Sequence, residues 1–186
     1  MTAEEYLRIE RAAVEDRSDY VDGEMIPRAV SSIRHVLIAS NLVCELSTLL
    51  RQAPCLAFTA NFRVATDPLR HYTYPDVGVA CEPLRLLDAN EDTLLNPTFL
   101  VEVLSDETEN YDRGTKSERY RGVKSLAGYM LVSQDRVHIE LYTRQPNGEW
   151  TLRESNDLDA EIELNSLSCR LKIGEVYLEV RFDEAG

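Results

Sequence analysis

No stretch of the sequence approaches the roughly 20 consecutive apolar residues that a bilayer-crossing helix needs. The N-terminus, MTAEEYLRIE, is charged and amphipathic where a signal sequence would turn apolar. A soluble, cytoplasmic protein with no membrane partner is therefore expected. Cysteine is sparse. Cys44, Cys55, Cys81 and Cys169 are widely spaced, form no CxxC pair and have mostly apolar neighbours, which argues for buried thiols in a reducing compartment and against disulfides or a zinc site. The chain also lacks an internal repeat, a low-complexity tract, a Gly-rich phosphate loop, a Ser-His-Asp signature and an HExxH motif, so the common phosphate cradles, acyl-transfer triads and zinc-protease helices have no footing. Positive charge is short as well. The 20 basic against 33 acidic residues give a net charge of −13, which works against tight non-specific binding to a polyanion. A small basic surface can still coexist with an acidic remainder, and sites for divalent cations are often acidic.

What is present suffices for one domain. At 186 residues and 44% hydrophobic content the chain can bury a core of its own. Residues 1–186 read as an N-terminal helix and hairpin (1–30), a core (31–145) and a C-terminal extension (146–186). Thr2 and Glu5 form a capping box for a helix over 2–13. Asp22-Gly23 marks a hairpin within the ribbon Tyr20 to Val30, with Glu24 just past the turn. Ser31 and Ser32 offer N-caps for a long helix ending near Arg51, whose apolar face carries Ile38, Leu42 and Leu46. His35 lies on or beside that face in the first turn; it reads first as a core histidine and is retained as a site-rim candidate.

Strands follow at Leu56 to Thr66, Tyr74 to Cys81 and Thr98 to Ser105, with residues 82–97 as a loop containing a helical turn. After the polar stretch 106–111, Asp112 is placed to cap a helix that runs to about Arg121 and is closed by Gly122. Leu126 to Ser133, Val137 to Thr143 and a segment near Trp150 are further strands. The acidic run Asp157 to Glu163 reads as a solvated edge. Tyr177 to Phe182 alternates like a free edge strand, which makes a homodimer plausible.

Two of the strands each carry one carboxylate in an apolar run: Asp76 in YPDVGVAC and Glu102 in TFLVEVLS. An unpaired buried carboxylate is costly, so a metal ion, a cationic side chain or a raised pKa must accompany each. The bland alternative places each acid at an exposed strand end. Two such acids in neighbouring strands favour a functional site. Hydrolysis of a phosphodiester needs an activated water, neutralisation of developing charge and a protonated leaving group; carboxylates holding Mg²⁺ or Mn²⁺ beside a lysine meet those needs. Asp76 and Glu102 are hard-oxygen ligands, and the carbonyl of Val103 could complete the set. The lysine would sit most simply two residues after Glu102 on the same strand face, but that position is Leu104. Lys116 can supply it from the next helix, where Arg113, Lys116 and Arg119 recur every three residues and Tyr120 stands one turn beyond Lys116. An ordinary solvated helix is the alternative for that basic stretch.

Together the string Tyr74 to Asp76, the segment PTFLVEVLS from Pro97, Lys116 with Tyr120, and Gly122-Val123 leading into Tyr129 to Val132 resemble the Uma-type "putative restriction endonuclease" family of the PD-(D/E)XK nuclease superfamily. The resemblance covers about residues 1 to 145 and takes in the Asp22-Gly23-Glu24 hairpin and His35. It implies an α/β (α+β) restriction-endonuclease-like core, a central mixed sheet flanked by helices in the order helix, three strands, helix, strand. It implies Asp76 and Glu102 as metal ligands, Lys116 as the lysine moved from strand to helix, and Glu24 and His35 as accessory catalytic positions. Arg113, Arg119 and Tyr120 would approach a DNA substrate. Two rival readings remain: a nuclease-like binding or oligomerisation module without turnover, and a metal-dependent hydrolase of a small phosphorylated substrate.

Overall fold

The structure, a computed structural model, describes residues 1–14, 17–28, 30–105 and 108–182. Ala29 of the N-terminal ribbon, Asp106 and Glu107 of the polar stretch, and the last four residues of the C-terminal extension lie outside the described residues. Both halves of the Thr2–Glu5 capping box open α1 (Ala3–Ala12). The Asp22-Gly23 turn, with φ of 48° and 100°, joins β1 (Ser18–Val21) to β2 (Glu24–Pro27). Ser32 accepts the His35 N–H and caps α2 (Ile33–Leu49), which buries Ile38, Leu42 and Leu46.

The predicted strand from Leu56 to Thr66 divides at a tight turn into β3 (Cys55–Thr59) and β4 (Arg63–Asp67), which enter different sheets. After β5 (His71–Thr73) and β6 (Val77–Cys81), the segment expected to hold a helical turn instead forms β7 (Thr93–Leu94), bridged to Leu86. β8 (Phe99–Leu104) is buried along its whole length. Asp112 is not an N-cap. Helical backbone begins earlier, with α3 (Glu109–Tyr111), passes through a wide π turn (Asp112–Lys116) and continues as α4 (Ser117–Gly122). Asp112 and Lys116 thus lie inside one helical segment and both are buried. The chain continues through β9 (Gly128–Ser133), β10 (Ile139–Arg144), β11 (Trp150–Ser155), β12 (Glu161–Leu164), β13 (Cys169–Lys172) and α5 (Ile173–Val176).

The larger sheet has the order β11-β10-β9-β8-β6-β3 and is mixed, because β8 and β9 run parallel across the helical crossover. The smaller has the order β2-β1-β5-β4-β7. Read along the larger sheet, α2, β3, β6, β8, the helical segment and β9 give the expected helix, three strands, helix, strand. Side chains alternate across β8. Phe99, Val101 and Val103 join the cluster of α2, whereas Leu100 and Leu104 join Tyr120, Leu126 and Tyr129 beneath the crossover helix. That alternation sends Glu102 to the crossover side.

The C-terminal residues depart from expectation in two places. Ile162 of the acidic run and the adjoining Leu164 are buried in the α2 cluster, so β12 is an inward-facing hairpin strand rather than a solvated edge. Tyr177 to Phe182 form no strand, because Tyr177 caps α5 and its hydroxyl bridges the backbone of Ser133 and His138. The edge from which a homodimer was expected is therefore absent. The cysteines differ as well. Cys55 and Cys81 stand directly opposite each other in the antiparallel β3–β6 pair and are joined by a disulfide, while Cys44 is exposed. Among the described residues no helix is long and apolar enough to cross a membrane.

Candidate active site

Pro75 sets the position of Asp76. It holds Tyr74 extended, and the strand proper starts only at Val77. The β6–β8 register pairs Val77 with Val101, so Pro75 falls opposite Val103. There the Asp76 carboxylate takes over, its Oδ2 accepting the Val103 N–H at 2.8 Å. The approach is fixed from the smaller sheet: Asp19 accepts the Thr73 hydroxyl at 2.9 Å and the Tyr74 N–H at 3.2 Å. Asp76 is 6% exposed, and its Oδ1 faces Arg28 and His35 Nε2, each at 3.1 Å. Burial pushes the Asp76 carboxyl up, but the His35 hydrogen bond and charge, the Lys116 charge and the Val103 N–H outweigh it and hold the pKa below the ordinary value.

Glu102 lies on the adjacent strand and is 2% exposed. Its Oε1 accepts from the Tyr120 hydroxyl at 2.6 Å and forms an ion pair with Lys116 Nζ at 2.8 Å. Burial, with the Asp76 and Asp112 charges adding to it and Lys116 opposing, raises its pKa to about 8. Burial alone would push Lys116 down; Glu102, Asp112 and Asp19 instead hold it well above an ordinary lysine. Asp112 Oδ1 is 3.2 Å from Lys116 Nζ yet makes no hydrogen bond, so the contact is an ion pair with unfavourable angles. Asp19, Asp76, Glu102, Asp112, Arg28 and Lys116 thus surround one cavity of about 460 Å³, which Val103, His35 and Tyr111 also line.

Of the residues singled out in the sequence, Asp76, Glu102, Val103, Lys116, His35 and Tyr120 come together here; Val103 presents its N–H to Asp76. Tyr120 reaches the cavity only through Glu102, and three others stand apart from it. Glu24 is exposed on β2. Arg119 donates to the Tyr111 hydroxyl at 3.0 Å and lies 3.7 Å from Asp22. Arg113 is engaged by Glu109 at 2.7 Å and by Glu140. Glu140 also belongs, with His138 and Glu154, to the one group of potential metal ligands found within 4.8 Å of one another among the described residues, but the Arg113 cation already sits on it.

Sequence reasoning missed Arg28, Asp19 and Asp112. Asp112 had a legible signal, since Asp112 and Lys116 are an i,i+4 acid–base pair. Arg28 and Asp19 had none, because their partners lie 48 and more than 50 residues away.

The architecture is shared with a solved nuclease-type structure. A chain from Anabaena variabilis ATCC 29413, described as "a putative nuclease", aligns with a TM-score of 0.76 at 20% identity, covering 95% of this chain and 97% of that one. The chain belongs to the Uma2 family, described as "Putative restriction endonuclease", whose model matches residues 3–174. Two uncharacterized proteins of Synechocystis sp. are similar to it. One is 32% identical over 165 residues, covering 89% of this chain and 93% of the relative. The other is 30% identical over 182 residues, covering 98% and 94%.

Proposed function

We propose that this chain is a divalent-metal-dependent endonuclease that hydrolyses phosphodiester bonds in DNA. The observation that carries the reading is the reach of Lys116: from the π turn its Nζ lies 2.8 Å from Glu102 Oε1, although the strand position that would hold a lysine is Leu104. The residues fit an oxygen-preferring dication. Buried carboxylates converge on one cavity, and one of their oxygens, Asp112 Oδ1, accepts no hydrogen bond. Asp76, Glu102 and the Val103 carbonyl would hold Mg²⁺ or Mn²⁺, which supplies charge neutralisation and a more acidic water.

The remaining work falls to the chain. Lys116 donates to the attacking water or to a phosphate oxygen, and Tyr120 keeps the Glu102 carboxylate aimed into the cavity. Arg28 and His35, both on Asp76 Oδ1, are cations or donors that can transfer to substrate oxygens when Asp76 takes a metal. Arg119, on the rim through Tyr111, supports phosphate approach; Arg113 and Glu24 are left out of the reacting group.

One observation favours a second reading, a nuclease-like module without turnover. Both carboxylates are already paired by protein groups, Asp76 by Arg28 and His35 and Glu102 by Lys116 and Tyr120. Titration of Mn²⁺ into wild type and Asp76→Asn, followed by plasmid cleavage with both, separates the two. Saturable binding and cleavage that vanish together in Asp76→Asn are expected; cleavage retained in that variant would refute the assignment, and no binding in either would favour the module.

A further inference from the structure

A second cavity, of about 580 Å³, adjoins the first, within the roughly 300–1,000 Å³ typical of small-molecule sites. The two meet at Asp76, Arg28 and His35, which line both. Their chemistry differs. The first gathers Asp19, Asp76, Glu102 and Asp112. Among its described lining residues the second has Asp76, at the junction, as its one carboxylate, and carries the two cations Arg17 and Arg28. One wall is the flank of α2, where Val36, Ala39 and Val43 present an apolar surface.

Resting on the nuclease reading above, we propose that this second cavity receives one unpaired nucleotide of the substrate strand, next to the scissile phosphate. Arg17 and Arg28 face its phosphate, and the α2 wall covers its base. A base can enter such a recess only after leaving its helical stack. The preferred substrate is accordingly a single strand, or a duplex with an unstacked nucleotide at the cleavage point. Charge complementarity supports this occupant, as does continuity: a nucleotide in the second cavity places the adjoining phosphate beside Asp76.

The test is fluorescence anisotropy at low salt without divalent metal, using a labelled thymidine oligonucleotide alone and annealed to its complement. The proteins are wild type, Ser40→Trp and Arg17→Gln. Ser40 is exposed and lines the cavity, so Ser40→Trp fills it without disturbing the core. Wild type is expected to bind the single strand about ten-fold more tightly than the duplex, and each variant to lose most of that preference with duplex binding unchanged. Equal affinity for the two forms, or variants without effect, overturns the subsite; Asp76-dependent cleavage of duplex DNA would then leave the nuclease reading standing. Binding to neither form, with no cleavage of any DNA, overturns both.

Discussion

Replacing Lys116 by Met tests whether the Glu102–Lys116 pair controls the site's ionisation. In the folded protein Glu102 has a pKa of about 8 against an ordinary 4.5. A carboxyl with a raised folded pKa holds its proton in the folded state across that window while the unfolded chain has released it. Its contribution to stability therefore falls as pH rises from 4.5 to 8, by up to about 1.4 kcal/mol per pH unit, and is level above. Lys116 is the influence that lowers Glu102 most, so Lys116→Met moves the Glu102 pKa above 8. Wild type then stops losing stability near pH 8 while the variant continues. At pH 6 Glu102 is neutral in both, and the variant loses charge-assisted contacts worth about 1.5–3 kcal/mol, offset by no longer burying an ammonium. Between pH 8 and pH 9 the difference grows by up to about 1.4 kcal/mol. Urea unfolding at pH 6, 7, 8 and 9 measures it, with Lys116→Met/Glu102→Gln as the control in which the growth disappears. A difference that does not change with pH, or that grows equally in the double variant, would refute the assignment of the raised carboxyl to Glu102.

Mn²⁺ affinity, measured by calorimetry, should rise by up to about ten-fold per pH unit on approaching pH 8 and flatten above it, since the metal must displace the Glu102 proton; a flat profile would remove Glu102 from the ligand set. Arg28→Ala should bind Mn²⁺ about two- to five-fold more tightly, because a half-buried guanidinium pair of modest strength no longer competes for Asp76 Oδ1, while cleavage slows; weaker binding would show that Arg28 supports the metal site. Gly128→Ala should lower stability by about 1–3 kcal/mol in urea unfolding, because a Cβ there would lie 2.4 Å from the buried Phe99 ring; an unchanged midpoint would mean that the ring yields freely. Thr2→Ala should cost about 1 kcal/mol through the lost capping box, read in the same assay.

Local patterns carried most of the fold. The unbroken apolar run of β8 and the apolar face of α2 are properties of consecutive residues; the first predicted a buried strand and the second the helix face that packs into the core. Features made by distant residues were not legible. Cys55 and Cys81 become partners only through the β3–β6 register, at a sequence separation of 26 that spans two strands of the other sheet. Tyr177 to Phe182 have a strand's alternation, but the backbone groups of Ser133 and His138 hold Tyr177 at a helix end instead. Asp112 reads as a cap because Asp so often is one; burial against Lys116 places it inside the helix.

The same division explains the site. Asp76 and Glu102 stand out in the sequence because a carboxylate within an apolar run demands a compensating charge, and that demand can be read locally. The identity of the compensating groups cannot. Lys116 follows Glu102 closely enough in the chain to be guessed, whereas Arg28 arrives from the N-terminal ribbon and Asp19 fixes the approach to Pro75 from another sheet. The interruption at Pro75 connects the two levels. By ending regular pairing opposite Val103 it frees one backbone N–H at the end of the sheet, and the Asp76 carboxylate that satisfies it is thereby held between the α2 side, through His35, and the crossover-helix side, through the Lys116 charge. A carboxylate so placed belongs to both cavities at once, and a group bound at Asp76 is within reach of the acidic cavity and its arginine-bearing neighbour alike.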